Sequence, residues 1–180
     1  MRDEVGVKFQ AVVYGQAADY EGVINVKNKV LDDGANEASL VYWVTGVAAG
    51  TAVNASATNK IYDGEFDINV DYTQSQLEAA IKAGEFTLHQ VGSDVRVLTD
   101  INSLVTTTAN KGDVFKDNQT IRVCDQIATD IANLFVTKYL GVVPNDASGR
   151  TSLWADIVKH HENMQSILSL IHISEPTRPY

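Results

Sequence analysis

The sequence predicts an α/β fold, α+β overall: a mixed strand-and-helix segment over residues 1–107, then a smaller, mainly helical segment over 108–167. Three observations carry that expectation. Up to about Leu104, short β-branched and aromatic runs alternate with runs of helical period. After the polar, turn-rich stretch 106–112 (TTTANKG) the period turns helical and stays so. Finally, 180 residues, 44% of them hydrophobic, suffice for one domain or two small ones with a packed core.

Taken in order, residues 7–14 (VKFQAVVY) and 20–26 (YEGVINV) have the bias of short strands, and Asp32-Asp33-Gly34 marks a turn. Residues 38–49 read as a helix, because Leu40, Val41, Val44, Val47 and Ala48 recur on one face, with Gly50 as its stop. Residues 54–60 are a polar loop, and 61–70 (IYDGEFDINV) alternate enough for a strand or hairpin. Thr73 and Gln76 have the spacing of a capping box; Leu77, Ala80 and Ile81 follow at helical spacing, and Gly84 ends the run. Residues 85–101 read as a β-hairpin turning at Gly92-Ser93-Asp94.

Beyond the boundary, 119–140 places Ile121, Cys124, Ile127, Ala128, Ile131, Leu134, Phe135 and Tyr139 on one wide face, with Gly141 just past it. Pro144-Asn145-Asp146 is a turn. Residues 152–167 form a second amphipathic helix, with Leu153, Trp154, Ile157, Val158, His161 and Met164 on its apolar side. Two helices joined by a loop predict an αα-hairpin. With Trp154 as its buried anchor, Trp154→Ala should cost about 3–5 kcal/mol. No internal repeat of solenoid period is present.

Composition narrows the function classes. The net charge of −9 argues against broad nucleic-acid binding, which needs clustered Lys and Arg. No apolar run reaches the ~18 residues of a membrane span, and the opening MRDEVGVKFQ lacks a signal-peptide core. The single Cys124 cannot build an internal disulfide framework and fits a reducing compartment.

Motifs for catalysis are absent. Gly46 to Thr51 is the nearest approach to a phosphate loop, but it lacks the lysine and sits where a helix ends. No dinucleotide fingerprint and no G-x-S-x-G elbow occur. His160-His161-Glu162 is the one histidine cluster; adjacent helical residues point about 100° apart, so the pair cannot chelate one ion as i, i+4 histidines do. His161 is expected on the apolar face and His160 beside the polar one. Cys124 is expected buried and inert. Glu65, Asp67 and Asp71 lack EF-hand spacing and read as solvated, as do the helix-entry charges Asp113, Lys116 and Asp117. His89 stands alone in a strand. Catalytic, cofactor-binding and metal-ligating residues are therefore all expected to be none.

The tail 168–180 (LSLIHISEPTRPY) holds two of the three prolines, Pro176 and Pro179. It reads as the in-frame translation of a sequencing adapter and is set apart from fold reasoning, His172 included.

Several stretches together resemble the contractile tail sheath proteins of myovirus-like phages and of defective phage-tail particles. They are ADYEGVINVKN (18–28), SLVYWVTGVAAGTAVNASATNKIYDGEF (39–66), EAAIKAGEFTLHQVGSDVRVLTDINSL (78–104), FKDNQTIRVCDQIATDIANLF (115–135) and TKYLGVVPNDASGRTSLWADIVKHH (137–161). The resemblance implies that 1–107 is part of a subtilisin-like α/β domain, subtilisin-like in fold only. It implies that 108–167 belongs to the C-terminal domain forming the sheath's inner core. It also implies a chain incomplete at both ends, lacking the arms that pair with strands of neighbouring subunits.

By the same resemblance the chain is a structural subunit that polymerises around a tail tube and contracts to drive it through a target envelope. Its partners are neighbouring sheath subunits, the tail tube protein, the baseplate and the tail terminator. No nucleic acid, membrane span or cofactor is implied. The expected location is the virion tail, after assembly in the bacterial host cytoplasm. Lys159 and His160 are candidates for contact with the tube or a neighbour, against the alternative of a solvated face. Two rivals stand: a small α/β hydrolase-like enzyme with Asp and His converging in a deep pocket, and a monomeric cytosolic binding module.

Overall fold

The computed structural model of the chain describes residues 6–172, with side chains described as far as Ile167. The chain divides into two units, Met1–Arg122 and Val123–Tyr180.

The first unit is built on a three-stranded parallel sheet of order β1-β2-β3: β1 (Ala11–Tyr14), β2 (Val23–Val26) and β3 (Glu85–Phe86). Ala11 lies opposite Val23 and Tyr14 opposite Val26; Asn25 and Val26 then pair with Glu85 and Phe86. Both N-terminal strands are shorter than their β-prone runs, because only these four residues of each face a partner. The return between them passes through Asp19, whose carboxylate accepts the amides of Val105 (2.6 Å) and Thr106 (2.8 Å). Hydrogen bonds from Thr106, then from Val105, hold that carboxyl below the usual range.

Helix α1 (Leu40–Gly50) packs on β1 and β2 through buried Leu40, Val44 and Val47, the face that the period predicts. Ile24, Val26, Phe86, Leu88 and Val97 complete the core. The segment 61–70 is neither strand nor hairpin. It makes single bridges, Ile61 to Arg96 and Ile68 to Val30. Backbone bonds such as Tyr62 N to Val95 O (2.8 Å) and Asn69 N to Lys29 O (3.0 Å) add to these, and side chains contribute too: Tyr62 donates its hydroxyl to Phe66 O (2.9 Å), and Trp43 its indole N–H to Asp63 (2.7 Å). Such bonds offer backbone and loop an alternative to a ladder.

Helix α2 (Gln74–Lys82) starts in the predicted capping box, Thr73 accepting from the Gln76 amide and the Gln76 side chain from the Thr73 amide. It stops at Gly84, where φ is +69° and a Cβ would stand 3.0 Å from the Ser103 backbone, so only glycine fits. The hairpin is narrower than 85–101. It comprises β4 (Leu88–Val91) and β5 (Asp94–Val97) turning at Gly92, while Glu85 and Phe86 join the parallel sheet instead.

Buried polar side chains tie the unit together. Asn28, fully buried, donates to Asn69 O (2.7 Å) and Leu88 O (2.8 Å) and accepts from Leu88 N (2.8 Å). Asp100 accepts from Ala57 N (2.9 Å), Asn118 Nδ2 (2.9 Å) and Arg122 Nη2 (2.7 Å). Helix α3 (Asn118–Leu134) begins at this cluster, where Asp117 accepts from the Gln119 amide (3.0 Å).

Burial, followed by the nearby Asp100 charge, pushes the Asp117 carboxyl up, against the opposing Gln119 hydrogen bond. A raised folded value means that ionisation opposes folding at neutral pH. That cost disappears as the pH falls below the unfolded carboxyl range. Asp117→Asn keeps the acceptor and should therefore raise the melting temperature at pH 7. At pH 3, where both side chains are neutral, the two melts should coincide.

In the second unit the predicted 119–140 helix leaves α geometry after Leu134 and ends in a π turn, Phe135–Tyr139, followed by Gly141 at φ +75°. Helix α4 (Ala147–His172) is longer than 152–167 at both ends. It starts early because Asp146 caps it, accepting the Gly149 amide at 2.7 Å. It also runs past Ile167 into the stretch set apart as an adapter; that reading otherwise falls on 173–180, outside the described residues. Tyr139 and Met164 are the buried hydrophobic residues described here, and the Tyr139 hydroxyl donates to Asp156 (2.5 Å).

Three burial expectations are corrected in this unit. Trp154 is 67% exposed and anchors nothing. Cys124 is exposed, not buried. His161 is exposed while His160 is half-buried, the reverse of the expected faces. Helical period says which residues share a face; it does not say that another element covers that face. The expected cost of 3–5 kcal/mol for Trp154→Ala is accordingly withdrawn. The substitution should move the chain's melting temperature by less than about 2 °C, as surface changes do.

Candidate functional site

The two residues singled out from sequence, Lys159 and His160, lie on α4 and line one shallow groove with Asp130, Leu134, Thr137 and Asp156. They differ in what they do there. His160 places Nε2 2.9 Å from an Asp130 oxygen, a link between α3 and α4, and its Nδ1 is buried with no hydrogen-bond partner. Lys159 is exposed. Asp156 binds Lys138 as well as Tyr139. The Lys138 hydrogen bond, then that from Tyr139, lowers its carboxyl, and the same contact raises the Lys138 ammonium. The groove is a small charge network joining the end of α3 to α4.

Beside it the unit is conspicuously apolar on its outside. Phe135, Val136, Leu140, Val142, Trp154 and Ile167 are all exposed. An apolar pocket of about 350 Å³ opens between the 140–145 loop and the first turns of α4, walled by Phe135, Tyr139, Leu140, Val143 and Leu153. No sequence motif marks this pocket. Its signal in the sequence is the apolar excess of 134–143 and of Leu153.

The remaining candidates do not converge. The Gly46 to Thr51 segment closes α1, with the Thr51 hydroxyl donating to Val47 O (2.6 Å). His89 sits on β4 opposite Arg96. Glu65, Asp67 and Asp71 are exposed, and Asp113 pairs with Lys116 at 2.8 Å. Among the described residues, no three His, Cys, Asp or Glu side chains gather to hold a metal ion. No helix among them is long and apolar enough to cross a membrane. Exposed apolar surface beside exchangeable charge pairs suits docking rather than bond chemistry.

Comparison with known proteins agrees. The phage tail sheath central-domain model matches residues 1–103, and the phage tail sheath C-terminal-domain model matches residues 110–171. The chain is 33% identical to the phage-like element PBSX protein XkdK of Bacillus subtilis, over 95% of its length and 36% of that protein's. It is 34% identical to the tail sheath protein of Clostridium phage phiCD119, over 81% of its length and 41% of that protein's. The crystal structure of a sheath tail protein from Desulfitobacterium hafniense superposes with a TM-score of 0.82 at 40% identity, over 92% of this chain and 40% of that one. The chain thus spans about two fifths of the length of the relatives it matches.

Proposed function

The chain belongs to the phage tail sheath family, and on that premise we propose that it is a structural subunit that polymerises around a tail tube and contracts to drive the tube through a target envelope. The observation that carries this is the serial match of both sheath domains, central then C-terminal, along one chain. The family is structural and non-enzymatic, and its members assemble as oligomers; the hydrolase-like and monomeric-module alternatives are set aside on that ground.

In this proposal residues 1–107 are part of a subtilisin-like α/β domain and residues 108–167 part of the inner sheath core. The partners are neighbouring sheath subunits, the tube protein, the baseplate and the tail terminator, and the location is the virion tail after assembly in the host cytoplasm. Contraction asks for many contacts of modest strength with two arrangements. Exposed ion pairs such as Lys138–Asp156 are of that kind, weak and exchangeable. Lys159 offers an exposed ammonium for tube or neighbour, and His160, engaged with Asp130, supports it from the same groove.

Co-expression with a tail-tube protein, followed by negative-stain electron microscopy, tests the proposal. Sheathed tubes or stacked rings are expected, and Lys159→Glu should reduce the sheathed fraction. A product that stays monomeric, with no polymer at any concentration, overturns it.

A further inference from the structure

The apolar pocket of the helical unit has a charged lip. Arg150, exposed, lines it; its guanidinium donates to the neutral Asn145 side chain at 3.2 Å, and it forms no ion pair among the described residues. Both units are net acidic. Residues 1–122 carry 10 basic and 17 acidic side chains, a net −7, whereas residues 123–180 carry 4 and 6, a net −2. A guanidinium without an ion pair at the lip of an apolar pocket attracts an acidic group of a second copy.

The partner segment that fits such a pocket is an exposed apolar side chain flanked by free acid. Leu31, 48% exposed and followed by exposed Asp32 and Asp33, has that chemistry. The turn is held in place. Leu31 N donates to Asp67 O (2.8 Å), the Asp32 carboxylate accepts from Asp67 N (2.8 Å), and Ala35 N closes onto Asp32 O (3.1 Å). Little entropy is lost when a turn already so fixed docks. Val114, the other exposed apolar residue beside an acid, fits less well because Asp113 is already paired with Lys116.

We propose that the Leu31 to Asp33 turn of one copy docks into the pocket of a second copy, Leu31 entering between Tyr139 and Leu153 and Asp33 pairing with Arg150. This rests on the assembly function proposed above. Because turn and pocket are different surfaces, the contact is head-to-tail and builds a ring or a helical run of copies, where a self-complementary patch would stop at a dimer.

The test separates the two surfaces. An Arg150→Glu chain keeps its turn, and a Leu31→Asp chain keeps its pocket. By sedimentation velocity the wild-type chain should associate with rising concentration. Each variant alone should remain monomeric at concentrations at least about tenfold higher, and a 1:1 mixture should form a dimer and nothing larger. Should either variant lose its helical circular dichroism, Arg150→Ala and Asp33→Ala replace them, each expected to weaken association roughly threefold. A mixture that stays monomeric, or a variant that associates like wild type, overturns this contact. If ordered wild-type polymer is still seen by electron microscopy, the sheath function survives that failure. A wild-type chain monomeric at every concentration overturns both.

Discussion

Asp100→Ala should lower the melting temperature by roughly 6–20 °C, the equivalent of about 3–5 kcal/mol. The carboxylate is 2% exposed and the Arg122 side chain 11%. Removing Asp100 leaves Arg122 with Ala55 O (2.9 Å) as its remaining acceptor, and with Nε and Nη1 already unsatisfied. It also takes away the acceptor for Ala57 N and Asn118 Nδ2. An uncompensated buried cation is the reason why breaking one side of a pair costs more than the pair contributes. The double variant Asp100→Ala, Arg122→Ala should therefore be more stable than Asp100→Ala alone. Thermal melts of the two single variants and the double one complete the cycle, and an additive result would refute the charge argument.

Asn28→Ala should cost about 3 kcal/mol or more, roughly 6–12 °C, because three backbone groups lose a partner, two of them in a place water does not reach. Leu88, whose N–H and C=O both bond to Asn28, is itself fully buried. Asn28→Asp distinguishes hydrogen bonding from simple packing, since its volume is nearly unchanged. Ionised, it points negative charge at the Asn69 and Leu88 carbonyls, so it should be no more stable than the alanine variant at pH 7. Its folded pKa is raised by that setting. The penalty is therefore present above the folded value and eases as the pH falls, when the protonated carboxyl regains a donor. Melts at pH 7 and pH 4 read the difference; an Asn28→Asp variant as stable as wild type at pH 7 would refute the role assigned to Asn28.

These two side chains show where sequence reasoning stops. The capping box at Thr73, the helix stop at Gly84, the hairpin turn at Gly92 and the break at Gly141 are local. Each is signalled by residues within four positions of one another, so each is readable, although the Ser103 backbone also requires the glycine at 84. Asn28 meets Leu88 across 60 positions and Asp100 meets Arg122 across 22. An asparagine next to a strand or an aspartate before Ile101-Asn102-Ser103 looks like any turn residue until its distant partner is known. The same limit explains the candidate site. Lys159 and His160 were placed on one helix correctly, but which of the histidines turns inward depended on Asp130, thirty residues away. Trp154 was misjudged for the complementary reason: its helical face is apolar, yet nothing described here covers it.

By itself the sequence determined the class of the molecule: mixed α/β changing to helical near residue 110, acidic, without catalytic motifs, and with the stretches that resemble tail sheath proteins. Those properties rest on composition, on period and on short-range caps and turns, which act the same way in any context. Only the tertiary structure decided the parallel order β1-β2-β3, the buried asparagine and ion-pair ties, and the pocket under Arg150. Each of these depends on which residues distant in sequence meet, which composition, period and local caps do not specify.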